Sequence, residues 1–161
     1  MVSIKWCLKQ KDGLKFIEPN SNMSNSYIKM AEESINAIKG VEGSKIWTAT
    51  MTYYIFYYSL YSLMLRIGIK CEIHSCSLEF MKRHLTSFYD KKDVEMIEKA
   101  FSARIDLQYY ANRPVDLKVI EETKRHSAGF FIKTKDILSR ISEEDIQEIR
   151  AELNKELPVG K

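Results

Sequence analysis

A stretch of twenty residues without a charged side chain, Ile46 to Leu65, constrains this chain more than any other feature. Its length matches that of a membrane-spanning helix. Half of it, however, consists of five tyrosines, three threonines and two serines, and tyrosines in a spanning helix gather at its ends. A helix that is apolar on all sides also suits the centre of a helical bundle. The stretch therefore predicts a buried central helix.

Turn-forming residues are scarce, with six glycines and three prolines in 161 residues. Long helices joined by short connections are expected, and they favour an all-α, up-and-down antiparallel bundle of four to five helices. The hydrophobic periodicity and the capping residues predict helices over about 26–39, 45–67, 76–88, 91–112, 116–140 and 143–155. We divide the chain into an irregular N-terminal arm (1–25), the bundle (26–140) and a charged C-terminal helix and tail (141–161).

Charge and cysteine content limit the class of protein further. The net charge of +3 is too small for a dedicated DNA-binding surface, although it permits a local basic patch. The chain has three cysteines, and an odd number does not indicate a disulfide framework. The N-terminus has no apolar export segment, so we expect free thiols in the reducing cytoplasm. Cys71, His74 and Cys76 do not have the spacing of a zinc knuckle, so we expect neither a metal nor another cofactor.

Arg104 is the first candidate functional residue. When the fourth predicted helix is wound at 100° per residue, Gln108 points towards the core and Arg104 lies at the edge of the apolar sector. An arginine at a core edge needs a partner or a ligand. An intramolecular salt bridge with a snorkelling guanidinium remains the alternative.

His74 is predicted to lie level with Arg104, because each is about 20 Å of helix from the connection between the third and fourth helices. A histidine among cations tends to be neutral and could act as a base, although it could instead merely cap the following helix. We place four further candidates at the same end as binding residues for a phosphate- or base-bearing ligand: Arg66, Lys70, Tyr109 and Tyr110, together with Gln108.

Several of these residues form a pattern similar to that of HEPN domains, in an archaeal branch of the family. The resembling residues are Tyr53-Tyr54-Ile55-Phe56-Tyr57, Leu63-Met64-Leu65, Gly68, His74-Ser75 and Arg104 followed by Gln108-Tyr109-Tyr110. The resemblance covers about 26–140 and is best from Tyr53 to Tyr110. It implies a four- or five-helix bundle that forms a homodimer. Members include ribonuclease toxins, partners of minimal nucleotidyltransferases and noncatalytic modules associated with nucleotides or RNA.

The chain departs from the family's ribonucleases, which carry an arginine, four to six residues and then a histidine. Arg66 and His74 have seven residues between them, and Arg125 and His126 are adjacent. Metal-independent RNA cleavage could survive only if His74 and Arg104 meet in space as catalytic residues. The resemblance thus favours a nucleotide- or RNA-associated module and implies, within that class, the toxin-like half of a two-component toxin-antitoxin system. A noncatalytic dimeric module that binds a protein partner is the alternative, and an active ribonuclease ranks third.

The aromatic residues give two further expectations. Eighteen aromatic side chains exceed what one small bundle readily hides, and a homodimer interface would cover the surplus. Four residues at helical spacing in the uncharged stretch are expected to line the core rather than a ligand site. They are Trp47, Tyr54, Tyr58 and Leu65.

Overall fold

The structure, a computed structural model, describes residues 2–157. In chain order the elements are α1 (Ile4–Lys9), β1 (Lys15–Phe16), α2 (Ser21–Ala37) with a short 3₁₀ turn (Ile38–Val41), α3 (Lys45–Ile67), β2 (Ile69–Lys70), α4 (His74–His84), α5 (Lys91–Tyr109), α6 (Leu117–Arg140) and α7 (Glu143–Lys155). The strands form one antiparallel pair, with Lys15 opposite Lys70 and Phe16 opposite Ile69. The prediction of an all-α class is confirmed.

The uncharged stretch forms α3, the central helix, and its predicted bounds are confirmed. The Ser44 hydroxyl accepts a hydrogen bond from the Trp47 amide at the start of the helix. Gly68 ends the helix in the left-handed region, at φ 85°, which a residue with a Cβ rarely adopts. Most of the side chains between these caps are buried. No helix in residues 2–157 is long and apolar enough to cross a membrane.

Two neighbours run antiparallel to α3, as side-chain contacts show. From α2, Ser24 is hydrogen bonded to Ser62 and Tyr27 packs on Tyr58, so the start of α2 lies near the end of α3. From α5, Gln108 donates to Thr50 at 2.9 Å, so the end of α5 lies near the start of α3. These contacts leave part of the α3 surface open between α2 and α5.

The predicted core stripe is only partly correct. Leu65 is fully buried, as expected, but Trp47 is 56% exposed because it lies in the first turn of α3, beyond the packed part of the neighbouring helices. Tyr54 and Tyr58 are half-buried, and they face the open surface between α2 and α5. Although α3 is apolar on all sides, its neighbours therefore leave part of its surface uncovered.

The N-terminal arm is more regular than predicted. It contains α1 and β1, and α2 begins at Ser21 rather than near 26 because Asn20 caps it, its side chain accepting from the Met23 amide at 2.9 Å. Two other helix ends shift as well. The third predicted helix is α4, which begins at His74 and ends at His84, and α5 ends at Tyr109 rather than near 112.

The prediction of free thiols is wrong for two of the three cysteines. Cys7 in α1 and Cys76 in the first turn of α4 form a disulfide with an S–S distance of 2.08 Å. Cys71 is a buried free thiol. Counting cysteines could not reveal this pair, because 69 residues of chain separate its members and only the packing of the arm on α4 brings them together.

Candidate functional site

His74 and Arg104 meet in one cluster of aromatic rings, the tyrosine cluster, formed by Tyr53, Tyr54, Tyr57 and Tyr58 of α3. His74 is the first residue of α4, and its Nδ1 is hydrogen bonded to the Tyr53 hydroxyl at 2.7 Å. Its ring is stacked on Tyr57 with 4.0 Å between centroids and an interplanar angle of 3°. The imidazole is therefore held in one orientation from two sides.

The surroundings of His74 keep its imidazole neutral. Burial is the larger cause and the nearby Arg104 charge the smaller, and together they lower the pKa of His74 from 6.5 to about 4. A group with so low a pKa is a weak proton acceptor near neutral pH. The site therefore suits the binding and positioning of a ligand better than general-base catalysis.

A dependence of folding on pH follows from this shift, because the unfolded chain binds a proton to His74 at a higher pH than the folded protein does. We expect the free energy of unfolding to fall as the pH drops from 6.5 to about 4, where the folded form also becomes protonated. His74→Gln should remove this part of the pH dependence. Urea denaturation of both proteins at pH 7 and pH 4.5 measures it, and equal losses of stability would contradict the shift.

Arg104 lies against the tyrosine cluster from the α5 side. Its guanidinium carbon is 5.2 Å from the ring centroids of both Tyr53 and Tyr54, a cation–π arrangement. Its Nε is buried and has no hydrogen-bond partner, and no carboxylate in residues 2–157 forms an ion pair with the side chain. The salt bridge considered as an alternative from the sequence is thus not found in this part of the chain.

Arg104 differs in this respect from the other six arginines of the chain. Each of those donates a hydrogen bond to a carboxylate or to a backbone carbonyl: Arg66, Arg83, Arg113, Arg125, Arg140 and Arg150. A buried N–H without an acceptor is unfavourable, so the unpartnered Nε of Arg104 favours an acceptor from outside residues 2–157.

The other sequence-predicted residues divide into two groups. Gln108 is close to the site, but its amide donates to Thr50 rather than facing a ligand. Tyr109 and Tyr110 follow Arg104 at the end of α5 and are exposed, and the Arg113 guanidinium carbon lies 3.6 Å from the Tyr110 ring centroid. These two tyrosines do not join the tyrosine cluster.

Arg66 does not lie beside Arg104, and its predicted placement at the same end is wrong, whereas Lys70 and His74 line the same cleft. His74 bonds to Tyr53, whereas Arg66 is 13 residues further along α3, about 20 Å at the rise of a helix. The chain after Gly68 is extended and returns along α3 to reach His74. The short connections expected from the sequence did not predict this return. Arg66 pairs instead with Glu143 at 3.2 Å, and Lys70 pairs with Glu72 at 2.8 Å.

A cleft of 590 Å³ opens beside His74, between α2, α3 and the returning segment. Its walls carry four tyrosines (Tyr27, Tyr57, Tyr58, Tyr61), with Met23 and Met30 on the α2 side and Lys70 and Glu72 on the other. Burial raises the pKa of Tyr57, Tyr58 and Tyr61, so the hydroxyls stay protonated. We call this feature the tyrosine cleft.

Sequence reasoning missed the tyrosine cluster and the tyrosine cleft as parts of the site. Tyr53 and Tyr57 are one helical turn apart, which signals a shared face, but the bond between Tyr53 and His74 spans 21 residues of chain. Nothing in the sequence indicates that α2 lines the cleft, because methionines on an amphipathic helix normally pack in a core.

The chain matches no family model, no curated protein and no solved structure. In residues 2–157 no group of three or more His, Cys, Asp or Glu residues could hold a metal ion.

Proposed function

We propose that this protein is a HEPN-like helical module that binds a nucleotide or RNA through a phosphate held by Arg104. The single observation that carries the proposal is the half-buried Arg104 guanidinium, which has no acceptor in residues 2–157 although every other arginine has one. A phosphate supplies oxygen acceptors that match the planar fork of an arginine.

The neighbours of Arg104 support an anionic ligand of this kind. The two tyrosine rings fix the guanidinium without neutralising its charge. His74 is neutral, so it adds a hydrogen-bonding group without a second positive charge. The same low pKa weighs against a ribonuclease mechanism that needs a histidine base, as does the absence of the family's short Arg–His spacing.

Binding measurements on Arg104 variants test the proposal. At low ionic strength we expect mononucleotides and short single-stranded RNA to bind, and Arg104→Ala to weaken binding about tenfold or more, about 1.4 kcal/mol. Arg104→Lys should retain part of the affinity, because it keeps the charge but loses the fork. The affinity of the unmodified protein should fall as salt is added.

Arg113→Ala is the matched control, because Arg113 is an exposed arginine just beyond the end of the same helix that already pairs with Asp106 at 2.9 Å. It should leave binding unchanged. Circular dichroism of each variant establishes that the fold persists. Absence of binding at low salt, or equal losses in the Arg104 and Arg113 variants, would overturn the proposal.

A second candidate function, a dimeric module that binds a protein partner, is favoured by exposed apolar side chains. The largest exposures are those of Tyr109 (67%), Ile132 (66%) and Trp47 (56%). Apolar side chains exposed to this extent are available for burial against another chain. The HEPN resemblance points to a second copy of this chain, and to a minimal nucleotidyltransferase as a further partner in a toxin-antitoxin pair.

We expect the protein to sediment as a homodimer at micromolar concentration. Covering the exposed aromatic side chains supplies the free energy of association. Analytical ultracentrifugation over a concentration series measures the mass. Trp47→Ser should shift the equilibrium towards monomer if this residue lies in the interface, and a monomer at every concentration would refute the dimer.

A further inference from the structure

We infer that the tyrosine cleft is a subsite for a single unpaired nucleobase, placed so that the phosphate of the same nucleotide reaches Arg104. The inference rests on the proposed function, and it narrows the ligand to a mononucleotide or a splayed nucleotide of a single strand. A base-paired duplex does not fit, because its bases are stacked on one another and cannot enter a side cleft.

The size and the walls of the cleft suit one small planar ligand. Its 590 Å³ lies within the range of roughly 300–1,000 Å³ typical of small-molecule sites. The α3 wall is aromatic, with Tyr58 half-buried and Tyr61 packed edge to face on Tyr27 of α2 at 4.8 Å. The α2 wall carries Met23 and Met30 on the same helix face as Tyr27, and these methionines are 44% and 37% exposed. Thioethers pack well on aromatic rings, so a planar ring at the mouth of the cleft would contact favourable surfaces of both helices.

The charge of the cleft separates the base from the phosphate. Lys70 and Glu72 pair at 2.8 Å, which leaves no net charge on that wall. The tyrosine hydroxyls and the His74 ring are neutral and can exchange hydrogen bonds with the edge of a base. A neutral polar cleft with aromatic walls favours a nucleobase over a phosphate or a plain hydrocarbon chain.

The cleft and Arg104 are connected through two touching rings. Tyr58 lines the cleft, its ring lies 5.0 Å from that of Tyr54, and the Arg104 guanidinium carbon lies 5.2 Å from the Tyr54 ring. His74 contributes to both places, since it lines the cleft and its pKa responds to the Arg104 charge. One nucleotide therefore has an aromatic surface for its base and a cation for its phosphate within one continuous surface.

Three kinds of probe separate the two halves of the ligand: the four ribonucleoside 5′-monophosphates, the matching nucleosides and ribose 5-phosphate. Isothermal titration at low salt should show at least one monophosphate binding more tightly than ribose 5-phosphate, on the order of tenfold, because stacking of the base adds affinity. Tyr58→Ala should lower the affinity for that monophosphate to the affinity for ribose 5-phosphate. The affinity for ribose 5-phosphate itself should not change. Arg104→Ala should weaken both.

Met23→Glu provides a second variant that does not disturb the core, because Met23 lies at the exposed rim of the cleft. It should have the same selective effect as Tyr58→Ala. Leu117→Glu, at an exposed apolar residue of α6 outside the cleft, is the matched control and should change nothing.

The outcomes distinguish this inference from the proposed function. If ribose 5-phosphate binds as tightly as every monophosphate, the cleft takes no base, while phosphate binding at Arg104 stands. If nucleosides bind but Arg104→Ala leaves the monophosphates unaffected, the cleft is supported and the role of Arg104 is refuted. If no probe binds, both are overturned.

Discussion

Reduction of the Cys7–Cys76 disulfide is expected to lower the free energy of unfolding by about 4 kcal/mol. The bond closes a loop with a sequence separation of 69 residues, so its loss gives the unfolded chain many more conformations. It also joins α1, only six residues long, to α4. A helix this short is not stable by itself, so its position depends on such a link. Urea denaturation with and without dithiothreitol measures the effect.

The three cysteines provide their own controls for this experiment. Cys7→Ser and Cys76→Ser should each reproduce the loss of stability and abolish the response to reductant. Cys71→Ser changes the buried free thiol, whose Sγ contacts the Ile73 carbonyl oxygen at 3.3 Å, and should keep the full response. Equal stability of the oxidised and reduced proteins would show that the link contributes nothing to folding.

The bounds of α3 could be predicted from the sequence because local chemistry determines both of its ends. The Ser44 hydroxyl accepts from the Trp47 amide, Gly68 takes the left-handed conformation, and residues 46–65 between them carry no charge. The box Ser142 to Asp145 marks the start of α7 in the same local way.

The N-terminal arm could not be predicted, because its order comes from distant partners. The two residues of β1 form a strand only by pairing with β2, more than fifty residues later. The Arg150 guanidinium of α7 donates to the carbonyls of Ile17, Ile67 and Gly68, at 2.9, 3.1 and 2.7 Å. None of these contacts leaves a periodic pattern in the sequence.

In the candidate site, too, features set by local helix geometry could be predicted and features set by distant contacts could not. Helix winding placed Arg104 at the edge of the core, and helix rise brought it level with His74, since each depends only on the geometry of a regular helix. The misplacement of Arg66 came from placing the end of α3 level with His74, whereas residues 69–73 run back along α3, with Ile69 and Lys70 paired to β1 and the Cys71 amide bonded to the Tyr61 hydroxyl. Extended chain covers about twice the distance of helix per residue, so the error is large.

A second large loss of stability is expected when the buried carboxylate of Asp93 is removed. Asp93 is 1% exposed, and it accepts hydrogen bonds from the His126 ring at 2.9 Å, from the Lys133 ammonium and from the Asp90 amide at 3.0 Å. Asp93→Ala deprives all three donors of their acceptor. Breaking a buried ion pair costs about 3–5 kcal/mol. We expect about 3 kcal/mol here, since the side chains of Lys133 and His126 are 36% and 28% exposed and can regain water.

Asp145→Ala is the matched control, because Asp145 occupies the same position in the capping box of α7 but is only half-buried. Its carboxylate accepts only from the amide and hydroxyl of Ser142, at 2.9 and 2.7 Å. Loss of this cap should cost about 1 kcal/mol. The difference between the two variants in urea denaturation therefore measures what burial and the contacts with His126 and Lys133 add to a common capping role. Equal costs would show that the Asp93 network stabilises the bundle no more than an ordinary helix cap.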